Sequence, residues 1–271
     1  MAHAEVSTLF TDKVRDYIVG RPGYPVSLAG LLMEAVGARP GQQLADVGCG
    51  TGLLAQAFLQ HGFSVTGVEP NDAMRTAGAQ LLSALPSFRM LSGTAERTGL
   101  PDASVDGIVV GTAFHWFDPI TSRTEFLRIL RPRGWVALIG NERAMLDPAD
   151  RALGDLLAHF RDDAHERMRM LDDCAPAEFL GPATRHFEVP HRLSLDHGAF
   201  VALVFSRSYM PRLGTPRRAE AEAMVDDTFS AHAAGGRYAL NYRATVYATA
   251  AFGGPAQAGE YRRTPHERRA V

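Results

Sequence analysis

The sequence of 271 residues contains little cysteine, little lysine and no long apolar segment. Its two cysteines, Cys49 and Cys174, imply no disulfide framework, so we expect a reducing, cytoplasmic location. The longest apolar runs, such as 105–110, are too short to span a bilayer, and residues 1–10 show no signal-peptide pattern. A formal net charge of −2 is not the basic excess typical of duplex-binding proteins. We therefore expect neither a membrane nor a nucleic acid as partner.

Motifs of several enzyme classes are also missing. We find neither a Walker phosphate loop nor the nucleophile elbow of hydrolases. The histidines of the second half form no convincing metal set, since His159 and His165 are six residues apart and lie on different helix faces. The acidic pairs at 162–163 and 172–173 are more typical of solvated helix charges. The sequence therefore predicts no metal site.

The composition is that of an ordinary globular protein, with 46% hydrophobic and 21% charged residues. One large domain, with or without an insertion, accounts for this length. In the first half, short apolar runs alternate with segments of helical spacing. Strands are predicted at 43–47, 63–68, 88–91, 105–110 and 135–139. Because such runs are apolar on both faces, they favour a parallel sheet covered by helices.

The second half, after Asn141, has a different pattern. The elements predicted there are a helix from Pro148, β-type residues over 184–195 broken by Pro190, helices over 197–209 and 219–231, and an alternating strand over 238–250. We expect residues 141–213 to form a helical cap on the substrate side of the sheet. The segment 251–271 has little periodicity and is predicted to be a flexible tail.

A glycine-rich loop follows the first strand, in the segment Asp46-Val47-Gly48-Cys49-Gly50-Thr51-Gly52. The dinucleotide pattern would require a third glycine at Leu53, where there is none. Asp46 would repel a phosphate and attract a cationic amine. Glu69 ends the second strand, where a carboxylate accepts hydrogen bonds from ribose hydroxyls. A plain glycine turn with a surface glutamate is the alternative, but the ordered features favour a nucleoside with an amino-acid end, as in S-adenosylmethionine.

The segments 46–52 and 69–74 resemble the first two motifs of class I S-adenosylmethionine-dependent methyltransferases. Further similar segments are 17–25, 92–106, 114–118 and 130–134, so the resemblance covers about residues 7 to 140. It points to the small-molecule subgroup that includes trans-aconitate methyltransferase-like proteins.

The resemblance implies an α/β fold: a Rossmann-like, doubly wound seven-stranded sheet, mostly parallel with one late antiparallel strand, and a helical cap inserted after strand five. It implies a single domain over 1–250, divided into a cofactor-binding half (1–140), the cap (141–213) and a closing helix and strand (214–250).

The resemblance also implies roles for individual residues toward S-adenosylmethionine. The glycine loop would face the methionyl part and adenosine, Glu69 the ribose, Asp46 the amine, and Arg21 the methionyl carboxylate. Thr94 stands where relatives often have aspartate, so its hydroxyl or the Glu96 carboxylate would have to replace that adenine contact. The expected cofactor-binding residues are Arg21, Asp46, Gly48, Cys49, Gly50, Glu69, Pro70, Met74, Thr94, Ala95, Glu96 and Thr112.

Catalysis and substrate binding are assigned to fewer residues. His115 follows strand four and is the best candidate base; the alternative is a histidine that fixes its loop or contacts the cofactor. Trp116 is expected near the sulfonium, with core packing as the alternative. Arg207 and Tyr209 are candidates for binding a carboxylate or carbonyl of the acceptor, against an ordinary surface ion pair. Tyr17 is the remaining predicted substrate contact.

The function expected from these features is methyl transfer from S-adenosylmethionine to a small organic acceptor, at a carboxylate, a hydroxyl or another natural-product group. One alternative is a protein of this fold that binds the cofactor but acts as a cyclase or binding protein without methyl transfer. A methyltransferase for RNA or protein is disfavoured by the near-neutral charge. We expect a monomer or a homodimer.

Overall fold

The computed structural model describes residues 14–161 and 176–253, which contain one seven-stranded sheet. The strands are β1 (Gln43–Val47), β2 (Ser64–Val68), β3 (Phe88–Leu91), β4 (Val105–Gly111), β5 (Leu130–Arg143), β6 (Arg185–Leu195) and β7 (Tyr238–Thr249). The helices are α1 (Val14–Gly20), α2 (Ser27–Val36), α3 (Leu53–Leu59), α4 (Asp72–Leu81), α5 (Pro119–Ile129), α6 (Pro148–Phe160), α7 (Pro176–Leu180), α8 (His197–Phe205) and α9 (Pro216–His232).

The strand order is β3-β2-β1-β4-β5-β7-β6. Strands β1 to β5 run parallel, and β7 runs antiparallel to both of its neighbours, β5 and β6. The predicted fold class is therefore confirmed: the sheet is mostly parallel, with a late antiparallel strand and helices inserted after the fifth strand.

Apolar residues on both faces of the sheet build two separate cores. Leu44 of β1 packs with helices α2 and α3 on one face, where Phe58 is fully buried. The next residue, Ala45, belongs to the core on the opposite face, with Phe126 of α5 and Phe179 of α7. This alternation explains why the predicted strands are apolar throughout, since each side chain meets a helix whichever face it occupies.

A third core lies under helices α6, α8 and α9. It joins Leu153 of α6, Leu203 of α8 and Val225 of α9 to the fully buried Tyr238 at the start of β7. An aspartate capping box between Asp147 and Asp150 begins α6, with proline at its first turn. These three helices therefore pack against β7, which adds to the central sheet beside β5.

Two sequence expectations are corrected here. The fifth strand runs from Leu130 to Arg143, well beyond the predicted 135–139, because its far end pairs with β7 up to Tyr242. The predicted interruption at Pro190 is wrong, since residues 185–195 form the continuous strand β6. This strand lies at the edge of the sheet, where a missing backbone N–H is tolerated. The predicted cap range 141–213 thus contains a sheet strand as well as helices.

The proposed division into a cofactor half, a cap and a closing unit stays a prediction. Of the predicted tail, residues 254–271 lie outside the described residues, whereas Phe252 is buried and stacks on Phe179. Within the described ranges, no helix is both long enough and apolar enough to cross a bilayer.

Candidate functional site

The carboxyl ends of β1, β2 and β4 open into a cavity of about 370 Å³. Each residue that the sequence assigned to the site lines this cavity. Those residues are Tyr17, Arg21, Asp46, Gly48, Cys49, Gly50, Glu69, Pro70, Met74, Thr94, Ala95, Glu96, Thr112, His115, Trp116, Arg207 and Tyr209. The structure thus brings them together, while their individual roles stay predictions.

The glycine loop adopts backbone conformations that favour glycine. Gly48, Gly50 and Gly52 have φ angles of 71°, 56° and 84°, in the left-handed region. At Gly48 an added Cβ would lie 2.7 Å from the Cβ of Ala113, whereas at Gly50 the closest atom would be the Tyr17 hydroxyl at 3.7 Å. At Gly48 a side chain would both clash with Ala113 and strain the backbone. At Gly50 a side chain would mainly strain the backbone and take up space in the cavity.

Glu69 ties the ends of β1 and β2 together. Its two carboxylate oxygens accept hydrogen bonds from the backbone N–H groups of Gly50 and Asn71, each at 2.9 Å. Burial raises the pKa of Glu69, and these two N–H groups oppose the rise. A carboxylate offers about four acceptor positions, so two hydroxyl donors can still be accommodated.

Asp46 is fully buried, and neither of its carboxylate oxygens has a hydrogen-bond partner among the described residues. Burial raises its pKa to about 8, and the charge of Glu69 contributes to the rise. The Ala55 backbone N–H lies near enough to offset the rise in part, but it does not form a hydrogen bond of acceptable geometry with the carboxylate. A buried carboxylate without partners is unfavourable for folding. A cationic ligand group in the cavity would supply the missing partner.

Residues of α4 and of the segment after β3 complete the lining of the cavity. Met74 and Ala95 are buried. The Thr94 hydroxyl accepts a hydrogen bond from the Arg97 amide at 3.2 Å, and the Glu96 carboxylate accepts one from the Asp118 amide at 2.9 Å. Thr94 therefore stabilises its own turn, whereas Glu96 links its segment to the start of α5.

The N-terminal segment covers the cavity from the side of α8. Gly20 at the end of α1 packs against the backbone of Leu203, where a Cβ would overlap. This close approach places Arg21 beside the turn after α8, where its guanidinium donates to the Ser206 carbonyl at 3.3 Å. The guanidinium also lies 5.0 Å from the centre of the Tyr17 ring. Burial, followed by the charge of Arg207, lowers the pKa of Arg21 to about 10.

Tyr24 and Asn141 are among the lining residues that sequence reasoning did not assign to the site. Tyr24 places its hydroxyl 3.0 Å from that of Thr112, which has a left-handed φ of 51°. Asn141 donates to the Gly23 carbonyl at 3.2 Å and lies 2.8 Å from the ring nitrogen of His191. A polar residue directly after an apolar strand was the available signal for Asn141, and the aromatic position in the N-terminal motif was the signal for Tyr24.

His115 and Trp116 lie on a short 3₁₀ helix, Phe114–Trp116, after β4. Their ring centres are 4.7 Å apart, with His115 exposed and Trp116 half-buried. Phe114 contacts Phe179 of the core at 4.8 Å. This segment is therefore held by apolar packing while His115 remains accessible from the cavity.

The chemistry of the lining is that of an organic ligand site. Within the described ranges, no cluster of three or more histidine, cysteine, aspartate or glutamate side chains could hold a metal ion. Asp46 and Glu69 lie at the strand ends and form the acidic end of the cavity, whereas Arg21 and Arg207 lie at or beside the turn after α8 and form its basic end. Groups of both charges in one cavity fit a zwitterionic ligand.

Comparison with known proteins gives consistent matches. A model of the methyltransferase domain matches residues 45–138. An uncharacterized methyltransferase of Mycobacterium tuberculosis is 34% identical over 205 residues, which are 76% of this chain and 79% of the relative. Malonyl-[acyl-carrier protein] O-methyltransferase of Serratia marcescens is 31% identical over 98 residues, 36% of this chain and 37% of the relative. A solved structure described as a "Putative Type II Methyltransferase", from Anaeromyxobacter dehalogenans, has a TM-score of 0.61 and 25% identity, covering 86% of this chain and 98% of that one.

Proposed function

Because the chain belongs to the methyltransferase family, we propose that it transfers a methyl group from S-adenosylmethionine to a small organic acceptor. The resemblance to trans-aconitate methyltransferase-like enzymes is part of this proposal, as is a monomeric or homodimeric state in the cytoplasm. The match to an O-methyltransferase acting on a malonyl group supports a small acceptor.

The observation that carries the proposal is the buried carboxylate of Asp46 beside the glycine loop, which has no hydrogen-bond partner in the described part of the chain. The residues present fit S-adenosylmethionine. Asp46 would hold its amine, Glu69 its ribose hydroxyls, and Arg21 its carboxylate. A phosphate-bearing dinucleotide fits less well, since the Asp46 carboxylate lies beside the glycine loop, where a pyrophosphate would bind.

S-adenosylmethionine supplies a methyl group on a sulfonium, with its own leaving group. The chain's own contribution is then mainly to position the acceptor and exclude water. Tyr17, Arg21 and Tyr24 cover the cavity, and Trp116 offers an aromatic face for a cation. Where the acceptor must lose a proton, His115 is the exposed group at the cavity able to take it.

The experiment is a calorimetric titration with S-adenosylhomocysteine, the demethylated product, and separately with NAD. We expect the first to bind and NAD not to bind. Glu69→Ala should weaken binding by about 1–3 kcal/mol, because the ribose hydroxyls lose a charged acceptor.

The matched control is Glu34→Ala, an exposed glutamate of α2, which should leave the affinity unchanged. Glu69→Gln removes the charge but keeps one carbonyl oxygen that can accept a hydrogen bond from a loop amide. Comparing it with Glu69→Ala separates the loss of charge from the loss of the hydrogen bonds that hold the loop. Preferential binding of NAD, or full affinity in Glu69→Ala, would contradict the proposal. A protein that binds the product but methylates no acceptor would favour the cyclase or binding alternative.

A further inference from the structure

Residues 21–26 form an irregular segment between α1 and α2, which we call the strap. Three of its residues, Arg21, Pro22 and Tyr24, line the cavity. Gly23 is exposed, and a Cβ built on it would meet no atom of the described residues within 4 Å. The strap is therefore a wall of the cavity with open space around Gly23 on its outer side.

The middle of the strap has no regular backbone pairing. Within the described ranges, the backbones of Pro22, Gly23 and Tyr24 form no hydrogen bond to another backbone group. Such hydrogen bonds are found on either side, where the amides of Arg21 and Leu28 donate to backbone carbonyls. Because the backbone supplies nothing between these two points, side chains must hold the strap in place.

Asn141 is the side chain that binds this stretch. It lies near the far end of β5, and its Nδ2 atom donates to the Gly23 carbonyl at 3.2 Å and to the Pro22 carbonyl at 3.4 Å. Both N–H groups of the amide are therefore used. The two carbonyls lie between Arg21 and Tyr24, so a single side chain fixes where both of these cavity-lining residues lie.

His191 of β6 fixes the orientation of Asn141. The Oδ1 atom of Asn141 lies 2.8 Å from the Nε2 atom of His191. Since the amide donates both of its protons to the strap, Oδ1 is the acceptor and Nε2 carries the proton between them. Ala244 of β7 lies opposite Asn141 in the strand register, and its small side chain lets the histidine reach across this middle strand. His191 itself does not line the cavity, so any effect it has on a ligand is indirect.

Two further contacts attach the ends of the strap. Arg21 donates to the Ser206 carbonyl after α8 at 3.3 Å, and the Tyr24 hydroxyl lies 3.0 Å from that of Thr112 at the end of β4. Both contacts use side chains that line the cavity, so a bound ligand can rearrange them. The Asn141 contact is made to backbone carbonyls, so it can persist when a ligand displaces the other two.

We propose that Asn141, oriented by His191, is a positioning residue that holds the strap over the bound cofactor and sets how fast the demethylated product leaves. This inference rests on the proposed function, because it takes the cavity to hold S-adenosylmethionine and, after transfer, S-adenosylhomocysteine. Every turnover requires the product to leave, and the opening of a covering segment often limits that step. Asn141 then acts through Arg21 and Tyr24 and not by contact with the reacting atoms.

The central test is Asn141→Asp, which has nearly the same shape. Its carboxylate can still accept a hydrogen bond from His191, but it has no proton to donate to the carbonyls of Pro22 and Gly23. We measure the release of tritiated S-adenosylhomocysteine into an excess of unlabelled ligand. Release should become at least about tenfold faster, because two hydrogen bonds to the strap are lost, whereas the association rate should change less than about threefold.

A second measurement uses the ligand-free protein. The amides of Arg21 and Leu28 lie on either side of the unpaired stretch and donate to carbonyls at 3.1 and 3.0 Å. Their hydrogen exchange should become at least about threefold faster in Asn141→Asp, because the strap between them is no longer held. The matched control is Gln60→Glu, the same change of amide to carboxylate at an exposed residue after α3 and outside the cavity, which should alter neither release nor exchange.

His191 supplies a pair of variants outside the cavity. His191→Phe keeps a ring beside that of Tyr242 but loses the N–H donor, and it should speed release about threefold. His191→Gln offers an amide N–H in place of Nε2 and should release the ligand at the wild-type rate. Because neither substitution changes a residue that lines the cavity, the pair tests the proposal even if Asn141→Asp does not fold.

Unchanged release and exchange in folded Asn141→Asp would overturn the proposal. Slower association at an unchanged release rate would also overturn it, since Asn141 would then be a direct ligand contact. Equal release rates in His191→Phe and His191→Gln would overturn the role of His191. If the wild type does not bind S-adenosylhomocysteine at all, the proposed function fails, and the hydrogen-exchange comparison still decides whether Asn141 holds the strap.

Discussion

Replacing Asp46 by asparagine should stabilise the ligand-free protein at alkaline pH. The pKa of Asp46 rises from 3.8 to about 8 because the side chain is buried. One pKa unit corresponds to about 1.4 kcal/mol, so above pH 8 the wild-type fold bears a penalty of about 6 kcal/mol. Asparagine carries no charge, but its unpartnered amide still costs about 1–3 kcal/mol. The expected net gain in the free energy of unfolding is therefore about 3–5 kcal/mol.

The sign of the pH dependence follows from the raised pKa. Below pH 3.8 the aspartate is neutral in both folded and unfolded states, so it imposes no ionisation penalty. Between pH 3.8 and 8 the unfolded chain loses the proton while the folded chain retains it, so the penalty grows with pH and becomes constant above 8. Near pH 4 only the cost of the asparagine amide remains, so Asp46→Asn should be less stable than the wild type there, and its advantage should be largest near pH 8.5.

The assay is urea unfolding of the wild type and Asp46→Asn at several pH values from 4.5 to 8.5. Asp155→Asn, an exposed aspartate of α6, is the matched control and should show no such trend. A stability difference independent of pH, or an Asp46→Asn protein less stable than wild type at pH 8.5, would refute the reasoning about the buried carboxylate.

Three further substitutions separate binding, catalysis and stability. Gly50→Val should reduce S-adenosylhomocysteine affinity below detection in calorimetry while circular dichroism shows a retained fold, because a left-handed φ of 56° is strained for valine; unchanged affinity would mean that the loop is only a turn. His115→Ala should lower kcat by about 10²–10⁴ with little change in cofactor affinity if His115 is the base; a rise in KM for S-adenosylmethionine alone would show that it only holds the loop. Glu125→Gln should lower the free energy of unfolding by about 2 kcal/mol without affecting ligand affinity. The reason is that the hydrogen bonds donated by Arg128 and Thr98 outweigh the effect of burial and hold the pKa of Glu125 at about 2. In the wild type this contribution should be fully present above pH 4.5 and lost as the pH falls toward 2, and a purely alkaline loss would contradict it.

The acidic end of the cavity was predictable because its residues are linked by short, fixed spacings. The strand, the glycine loop and the next strand follow each other directly, so Gly48, Gly50 and Glu69 must meet at the carboxyl edge of a parallel sheet. The Gly50 amide donates a hydrogen bond to Glu69, so this spacing does bring the two residues into contact. What the sequence could not show is that Asp46 has no hydrogen-bond partner within residues 14–161 and 176–253, because this depends on how completely the strands and helices around it exclude polar groups.

The basic end was predictable only in part. Arg207 was a candidate from its residue type, but its position depends on α1 packing against α8 through Gly20 and on β7 presenting Tyr242. Asn141 reaches the Gly23 carbonyl across 118 positions of the chain. Contacts of such long range leave no local periodicity, so neither the contact of Arg207 with Tyr242 nor that of Asn141 with Gly23 could be inferred from spacing.

The predicted boundaries of β5 and β6 were wrong for a similar reason. The apolar pattern of 135–139 marks a buried part of β5, whereas the polar residues 141–143 become strand through pairing with β7 and Leu130 through pairing with Val105 of β4. Pro190 suggested an interruption, but the topology places β6 at the sheet edge, where proline is permitted. In both cases the tertiary arrangement, and not the local sequence, decided the secondary structure.

The central claim is that the acidic end of the cavity receives the cationic amino-acid end of S-adenosylmethionine. The most direct test is calorimetric binding of S-adenosylhomocysteine at pH 7 in buffers of different ionisation enthalpy, which counts protons released. Because Asp46 has a pKa of about 8, it is mostly protonated in the free protein, and a cation beside it should lower that pKa. We predict release of about one proton per bound ligand, lost together with most of the affinity in Asp46→Asn. Binding without proton release, at equal affinity in Asp46→Asn, would contradict the account.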